Sequence, residues 1–217
     1  MVITQFQNAL SEVLFWTEGL SAIIALWYYK SVKNQYWKYF FYYLLIVFSL
    51  ELFGRYVGNW ALYSKVNFYN YLVIPFQFIF FYWLYASKSF KNKKLFWIFS
   101  LLYIVSFFLS EIYFKESKIF FSLNYTFGCC LLMILVVMEY YQQINSNDIL
   151  IFQKNRMFYI NLGVTIFYIG TLPFLTFYPF LVKDVEIWNI YYNYFLISDI
   201  LMYLLFSISF IWGKQNF

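Results

Sequence analysis

Tyr39-Phe-Phe-Tyr-Tyr-Leu-Leu-Ile-Val-Phe-Ser-Leu-Glu51-Leu-Phe-Gly54-Arg55-Tyr-Val-Gly58-Asn-Trp-Ala-Leu62 decides the fold. A bilayer core takes about 20 apolar residues to cross as a helix, and this run exceeds that with only Glu51 and Arg55 charged. On a helix Glu51, Gly54, Arg55 and Gly58 share one face. The acid precedes the base by one turn, the better orientation for an intrahelical ion pair. Gly54 and Gly58 form a small-xxx-small notch for another helix. An ionisable group near the bilayer centre costs at least about 2.5–3.5 kcal/mol on insertion scales, so such groups face the protein interior and serve a purpose.

Composition extends this reading to the whole chain. The 217 residues are 64% hydrophobic, 29% aromatic and 12% charged, far from the roughly 25% charged fraction of soluble domains. A polytopic membrane protein follows, all-α because helices satisfy their own backbone in lipid. The net charge of +5 is read by location, as topology rather than as a nucleic-acid signature. Cys129 and Cys130 are adjacent within an apolar run, a spacing for neither a disulfide nor a metal. Without histidine the chain lacks the usual general base and the commonest metal ligand.

Seven spans are expected, at 9–29, 39–62, 67–87, 95–114, 119–140, 157–180 and 187–212, in one transmembrane domain covering 1–217. The first has neither the basic flank nor the cleavage site of a signal peptide and is read as a retained helix. Trp27, Trp37, Trp60, Trp83, Trp97, Trp188 and Trp212 fall near span ends, where aromatic belts sit, and Trp16 falls inside one. Links after spans one, three and five, with the C-terminus, hold Lys30, Lys33, Lys38, Lys88, Lys91, Lys93, Lys94, Lys154, Arg156 and Lys214. The other side holds only Lys65, Lys115, Lys118 and Lys183. The positive-inside rule then puts the N-terminus outside and the C-terminus in the cytoplasm of a bacterial inner-membrane protein. In the longest link, 142–156, Asn145-Ser-Asn-Asp148 is a helix-start signal leading into an apolar Ile149–Phe152 stretch suited to the membrane surface.

With that orientation several polar groups fall at one depth: Glu18, Glu51, Arg55, Gln77 and Asp199, with Tyr168 beside them. Asn67 and Asn70 in span three, Asn161 in span six, and Asn193 and Tyr203 in span seven support the same level. Pro173 removes a backbone hydrogen bond and is expected to break the outer half of span six. The asparagines and Gln77 fit helix-to-helix hydrogen bonding, worth about 0.6 kcal/mol each. Glu51, Arg55 and Asp199 fit a functional site, because neutral side chains meet structural needs more cheaply. Acids outnumbering one base favour reversible proton or cation binding. Lys88, Lys91, Lys93 and Lys94, with Lys154 and Arg156, form a cytoplasmic basic surface for anionic lipid or for a cytoplasmic protein. No motif points to direct nucleic-acid binding.

Ile144-Asn-Ser-Asn-Asp-Ile-Leu-Ile-Phe-Gln-Lys-Asn155, Gly163-Val-Thr-Ile-Phe-Tyr-Ile-Gly-Thr-Leu-Pro173 and Asp199-Ile-Leu-Met-Tyr-Leu-Leu-Phe-Ser-Ile-Ser-Phe-Ile-Trp-Gly-Lys214, with Glu51-Leu-Phe-Gly54 and Asn67-Phe-Tyr-Asn70, resemble a family of small seven-helix proteins of Bacteroidetes-type bacteria. Members are often encoded beside sensor histidine kinases, which implies signalling; the family supplies no catalytic residue. Size and composition are similar, more weakly, to membrane accessory proteins of type VI-B CRISPR loci, which modulate an RNA-guided RNase. The leading expectation is a non-enzymatic sensory or regulatory module, without cofactor, acting on a cytoplasmic signalling or effector protein and open to homo-oligomerisation. Alternatives are a small proton- or cation-coupled transporter or channel, and a defence-system accessory. An intramembrane enzyme is disfavoured because no nucleophile is paired with a base.

Overall fold

The computed structural model describes residues 4–56, 65–114, 119–145, 152–181 and 183–213. Helix is the only regular structure among them. The elements are α1 (Gln5–Trp27), α2 (Tyr29–Val32), α3 (Lys38–Tyr56), α4 (Lys65–Phe68), α5 (Ile74–Tyr82), α6 (Lys93–Phe114), α7 (Ile119–Ile144), α8 (Arg156–Val164), α9 (Leu172–Thr176), α10 (Tyr178–Leu181) and α11 (Val185–Trp212). π-Helical turns at Tyr69–Val73, Trp83–Ser89 and Thr165–Ile169 join α4 to α5, extend α5 and extend α8.

Local sequence sets the helix starts. Thr4 and Gln7 form a reciprocal capping box, so α1 begins at Gln5, earlier than the residue-9 start expected from hydropathy alone. Asp184 accepts from the Glu186 and Ile187 amides and starts α11, and Asn155 accepts from Met157 and starts α8. Between the Trp83–Ser89 turn and α6, Lys91 takes a φ of 55°, and Asn92 Oδ1 accepts from the Leu95 amide at 3.0 Å. Span six opens just before Pro173. Gly170 N–H reaches back five residues to Thr165 O at 3.1 Å, and α9 restarts with the proline in its first turn, where a missing amide costs nothing.

Four stretches, Gln5–Trp27, Leu123–Ile144, Arg156–Thr176 and Val185–Trp212, are long and apolar enough to cross a membrane by length and composition. Burial supports this. One face of α1 exposes Phe6, Val13, Trp16, Leu20 and Ile23, and α6 exposes Trp97, Leu101, Val105, Phe108 and Ile112. Such apolar faces suit lipid and not water. The inner faces bury Glu18, Asn124, Glu139, Asn161 and Asp199.

α11 is the central element, packed on α1, on α8 and on the Thr165–Ile169 turn, while α6 packs on α7, and α3 packs on α1. Lipid tails give apolar side chains no gain on leaving them, so association rests on close packing and polar contacts. Gly163 lets α8 approach the α11 backbone, with the position of an added Cβ only 3.3 Å from Met202 O. Aromatic rings fill the centre. Tyr43 stacks on Phe80 at 4.1 Å, and Phe40 meets Phe206 edge-on at 5.1 Å, pairs worth about 0.5–1.5 kcal/mol each beyond area burial.

Two tryptophan expectations are corrected. Trp37 and Trp188 are buried, under Arg156 and against Tyr192 respectively, whereas Trp27, Trp97 and Trp212 are exposed at helix ends. Trp60, Gly58, Lys214 and the Ile149–Ile151 part of the surface stretch lie outside the described residues.

Candidate functional site

The site is built where α1, α3 and α11 face one another. Glu18 (7% exposed) and Asp199 (9%) project into the interior from the closely packed α1 and α11. They and Glu51 lie within electrostatic reach of one another. Glu18 Oε2 and Asp199 Oδ1 are sealed from solvent without a hydrogen-bond partner. Phenols line the carboxyls. Tyr203 faces Glu18, Tyr43 lies near both Glu18 and Asp199, and Tyr168 lies near Asp199 and donates to Gln77 Oε1 at 3.1 Å. Half-buried Tyr69 donates to Glu51 Oε2 at 2.5 Å.

The intrahelical Glu51–Arg55 pair is not formed. The Arg55 guanidinium crosses to Glu12 on α1 and lies 4.5 Å from the centroid of the Phe15 ring. The reason is geometric: Gly54, adjoining Arg55 in α3, has no side chain, so the Tyr69 ring enters there. An added Cβ would sit 2.6 Å from its hydroxyl oxygen. The part of the expected notch that is described therefore holds an aromatic ring. Glu51 takes that phenol, and Arg55, near the end of α3, takes the nearest acid of α1. The acidic group is left with its one nearby base already engaged.

Of the remaining expected residues, Asn67 is exposed and Asn70 half-buried, and no hydrogen bond among the described residues places either at the carboxyls. Asn193 is half-buried with Oδ1 unpartnered. Asn161 belongs elsewhere: its Oδ1 accepts from Tyr85 at 2.8 Å, and its carbonyl accepts from Thr165, whose hydroxyl pairs with Tyr140.

That ladder leads to a second buried group, which sequence reasoning misses. Glu139 (2% exposed) accepts from Ser89 at 2.5 Å and from Gln143 at 2.8 Å. The signal is present as an acid followed four residues later by Gln143, but it sits at the expected end of span five, where an acid suggests an interface with water. Arg156 is a further correction, being buried rather than part of a basic surface. It donates to Ser209 O at 3.2 Å and to Gln35, and its guanidinium lies near the Trp37 and Phe210 rings. A guanidinium carries several donors and is more weakly hydrated than an ammonium, which suits this cation to a buried place among a carbonyl, an amide and two rings. Tyr36, in the α2–α3 link between Glu139 and Arg156, has its phenol pushed up by burial and by Glu139. It stays protonated, a donor. Lys91, Lys93, Lys94 and Lys154 are exposed, and Lys88 is half-buried over Trp83 at 5.0 Å.

Buried carboxyls lined by phenols, two of them with an oxygen left without a partner, can accept a proton or a small cation, since charging all of them together in a low-dielectric site is costly. Among the described residues no three histidine, cysteine or acidic side chains converge closely enough to chelate a metal ion. The chain matches no family model, no curated protein and no solved structure.

Proposed function

We propose that the chain is a non-enzymatic regulator of the bacterial inner membrane, with seven crossings, its N-terminus outside and its C-terminus in the cytoplasm. It takes up a proton or small cation at the Glu18 and Asp199 carboxyls, within electrostatic reach of Glu51, and passes that occupancy to a cytoplasmic signalling or effector protein. The observation that carries this reading is a pair of buried carboxyls on the adjacent helices α1 and α11, each with one oxygen, Glu18 Oε2 and Asp199 Oδ1, that has no hydrogen-bond partner, with the nearby arginine held by Glu12. Structure alone is served more cheaply by neutral side chains at such depth. α11 supplies the transmission. Asp199 and Ser209 lie on it roughly 15 Å apart at the helical rise, and Ser209 holds Arg156 at the lysine-rich end. The resemblance to proteins encoded beside sensor kinases supports the same reading.

The test compares wild type with Asp199→Asn and Glu18→Gln in detergent, melting each across pH and across sodium and potassium concentration. Wild type is expected to show a proton- or cation-dependent melting temperature that both variants lack. A wild-type curve indifferent to pH and to both cations overturns the reading.

Ion-coupled transport is the second reading, favoured by the interrupted span six beside Tyr168. Broken helices beside midplane carboxyls are a transporter device. Flux of the ion into sealed liposomes, absent in Asp199→Asn, separates it from regulation.

A further inference from the structure

α3 and the helical run 65–89 meet through aromatic rings, Tyr43 on Phe80 at 4.1 Å and Tyr39 edge-on to Trp83 at 5.2 Å. Over these contacts lies an open groove of about 450 Å³ between Tyr39, Tyr42, Tyr43 and Ile46 on one side and Phe76, Phe80 and Trp83 on the other. That volume is in the range of small-molecule sites. Its floor is the Tyr43–Phe80 stack, and its rim is exposed, with Tyr39, Tyr42 and Ile46 each over 40% accessible. The rim is aromatic and aliphatic as well as exposed, so on the reading of the chain as a seven-crossing bundle the medium that fills the groove is lipid.

One end differs from the rest. Lys38 Nζ and Lys88 Nζ both approach the Tyr39 ring, at 5.2 and 6.0 Å from its centroid, and Lys88 lies 5.0 Å from that of Trp83. Among the described residues no carboxylate is within ion-pair distance of either lysine. Two cations held by aromatic rings at the mouth of an apolar channel match a molecule with an anionic head and a hydrocarbon tail. Tyr39 and Trp83 have the amphipathic character of residues at headgroup depth. We propose that this groove is a binding site for one anionic phospholipid of the lysine-rich leaflet, its phosphate between Lys38 and Lys88 and an acyl chain along Tyr43, Ile46 and Phe80. The site does not depend on proton or cation uptake at Glu18 and Asp199, although Tyr43 forms a wall of both.

The test uses the Trp83 fluorescence, obtained as wild type minus Trp83→Phe, in vesicles containing phosphatidylglycerol or phosphatidylcholine brominated on the acyl chain. Half-maximal quenching is expected at about ten-fold lower mole fraction of brominated phosphatidylglycerol, the size expected from lysines near anionic lipid. Lys38→Gln with Lys88→Gln, both half-buried and away from the Glu18 and Asp199 carboxyls, is expected to remove that preference and leave quenching by phosphatidylcholine unchanged. Equal quenching by the two lipids in wild type overturns the proposal. So does a preference that survives the double change, or a Trp83 shielded from both lipids in a protein that light scattering shows to be dimeric, since a second copy then fills the groove.

Discussion

The Tyr69 hydroxyl donates to Glu51 Oε2 at 2.5 Å through the space that Gly54 leaves in α3. Glycine, phenol and acid act as one unit, so substitutions among them are coupled. Gly54→Ala places a methyl on the hydroxyl and is expected to destabilise by about 1–3 kcal/mol, the usual cost of overpacking. Tyr69→Phe loses a hydrogen bond to a carboxylate, worth about 1.5–3 kcal/mol if the acid is charged. Because the phenyl ring of that variant lacks the clashing oxygen, the double change should lose less than the sum. Melting curves in detergent check this, and strict additivity would show that Tyr69 does not occupy the notch.

Arg55 is expected to couple energetically to Glu12 and not to Glu51. Glu12 is more than half exposed, so the interaction belongs with surface pairs at roughly 0.2–1 kcal/mol. A double-mutant cycle of Glu12→Gln with Arg55→Gln should return a coupling in that range. The Glu51→Gln cycle with Arg55→Gln should return a smaller one, and a larger value there would restore the intrahelical pair.

How much of this is legible in the sequence varies with the kind of interaction. Periodicity and hydropathy place the helices, because apolar faces and caps are local properties of the chain. Glu18, Glu51 and Asp199 are also legible as one group, since charge within an apolar span has few places to go. The partner of Arg55 is not, because an arginine stem reaches one turn along its own helix or across to a neighbour with equal ease. Only the packing of α3 on α1 decides between them. Arg156 and Glu139 mislead for a related reason: residues at the expected end of a span look solvent-facing until their distant partners are known, Gln35, Trp37 and the end of α11 for Arg156 and Ser89 for Glu139.

Arg156 is expected to tolerate neither lysine nor glutamine. A lysine keeps the charge but loses the Nε donor to Ser209 O, the second donor to Gln35 and the guanidinium beside the Trp37 and Phe210 rings. Arg156→Lys should therefore destabilise by about 1–3 kcal/mol, close to Arg156→Gln. A melting temperature for Arg156→Lys equal to that of wild type would reduce the residue to a simple topology signal.

Lys91 holds a backbone conformation that costs a side-chain-bearing residue about 1–2 kcal/mol relative to glycine. Lys91→Gly should raise the melting temperature despite removing a basic residue. A fall would mean that the Lys91 charge contributes more than its strained backbone costs.

The π-helical turns at Tyr69–Val73, Trp83–Ser89 and Thr165–Ile169 each hold one residue more than an α-turn. An extra residue is slack that can be handed along a helix, carrying with it a rotation of roughly 100° per residue at 3.6 residues per turn. The segments flanking the acidic group are therefore built like a screw with a spare thread: Tyr69 and Tyr168 stand within two of these turns. A one-residue migration of either would swing a phenol away from the carboxyls while the helix ends stay anchored.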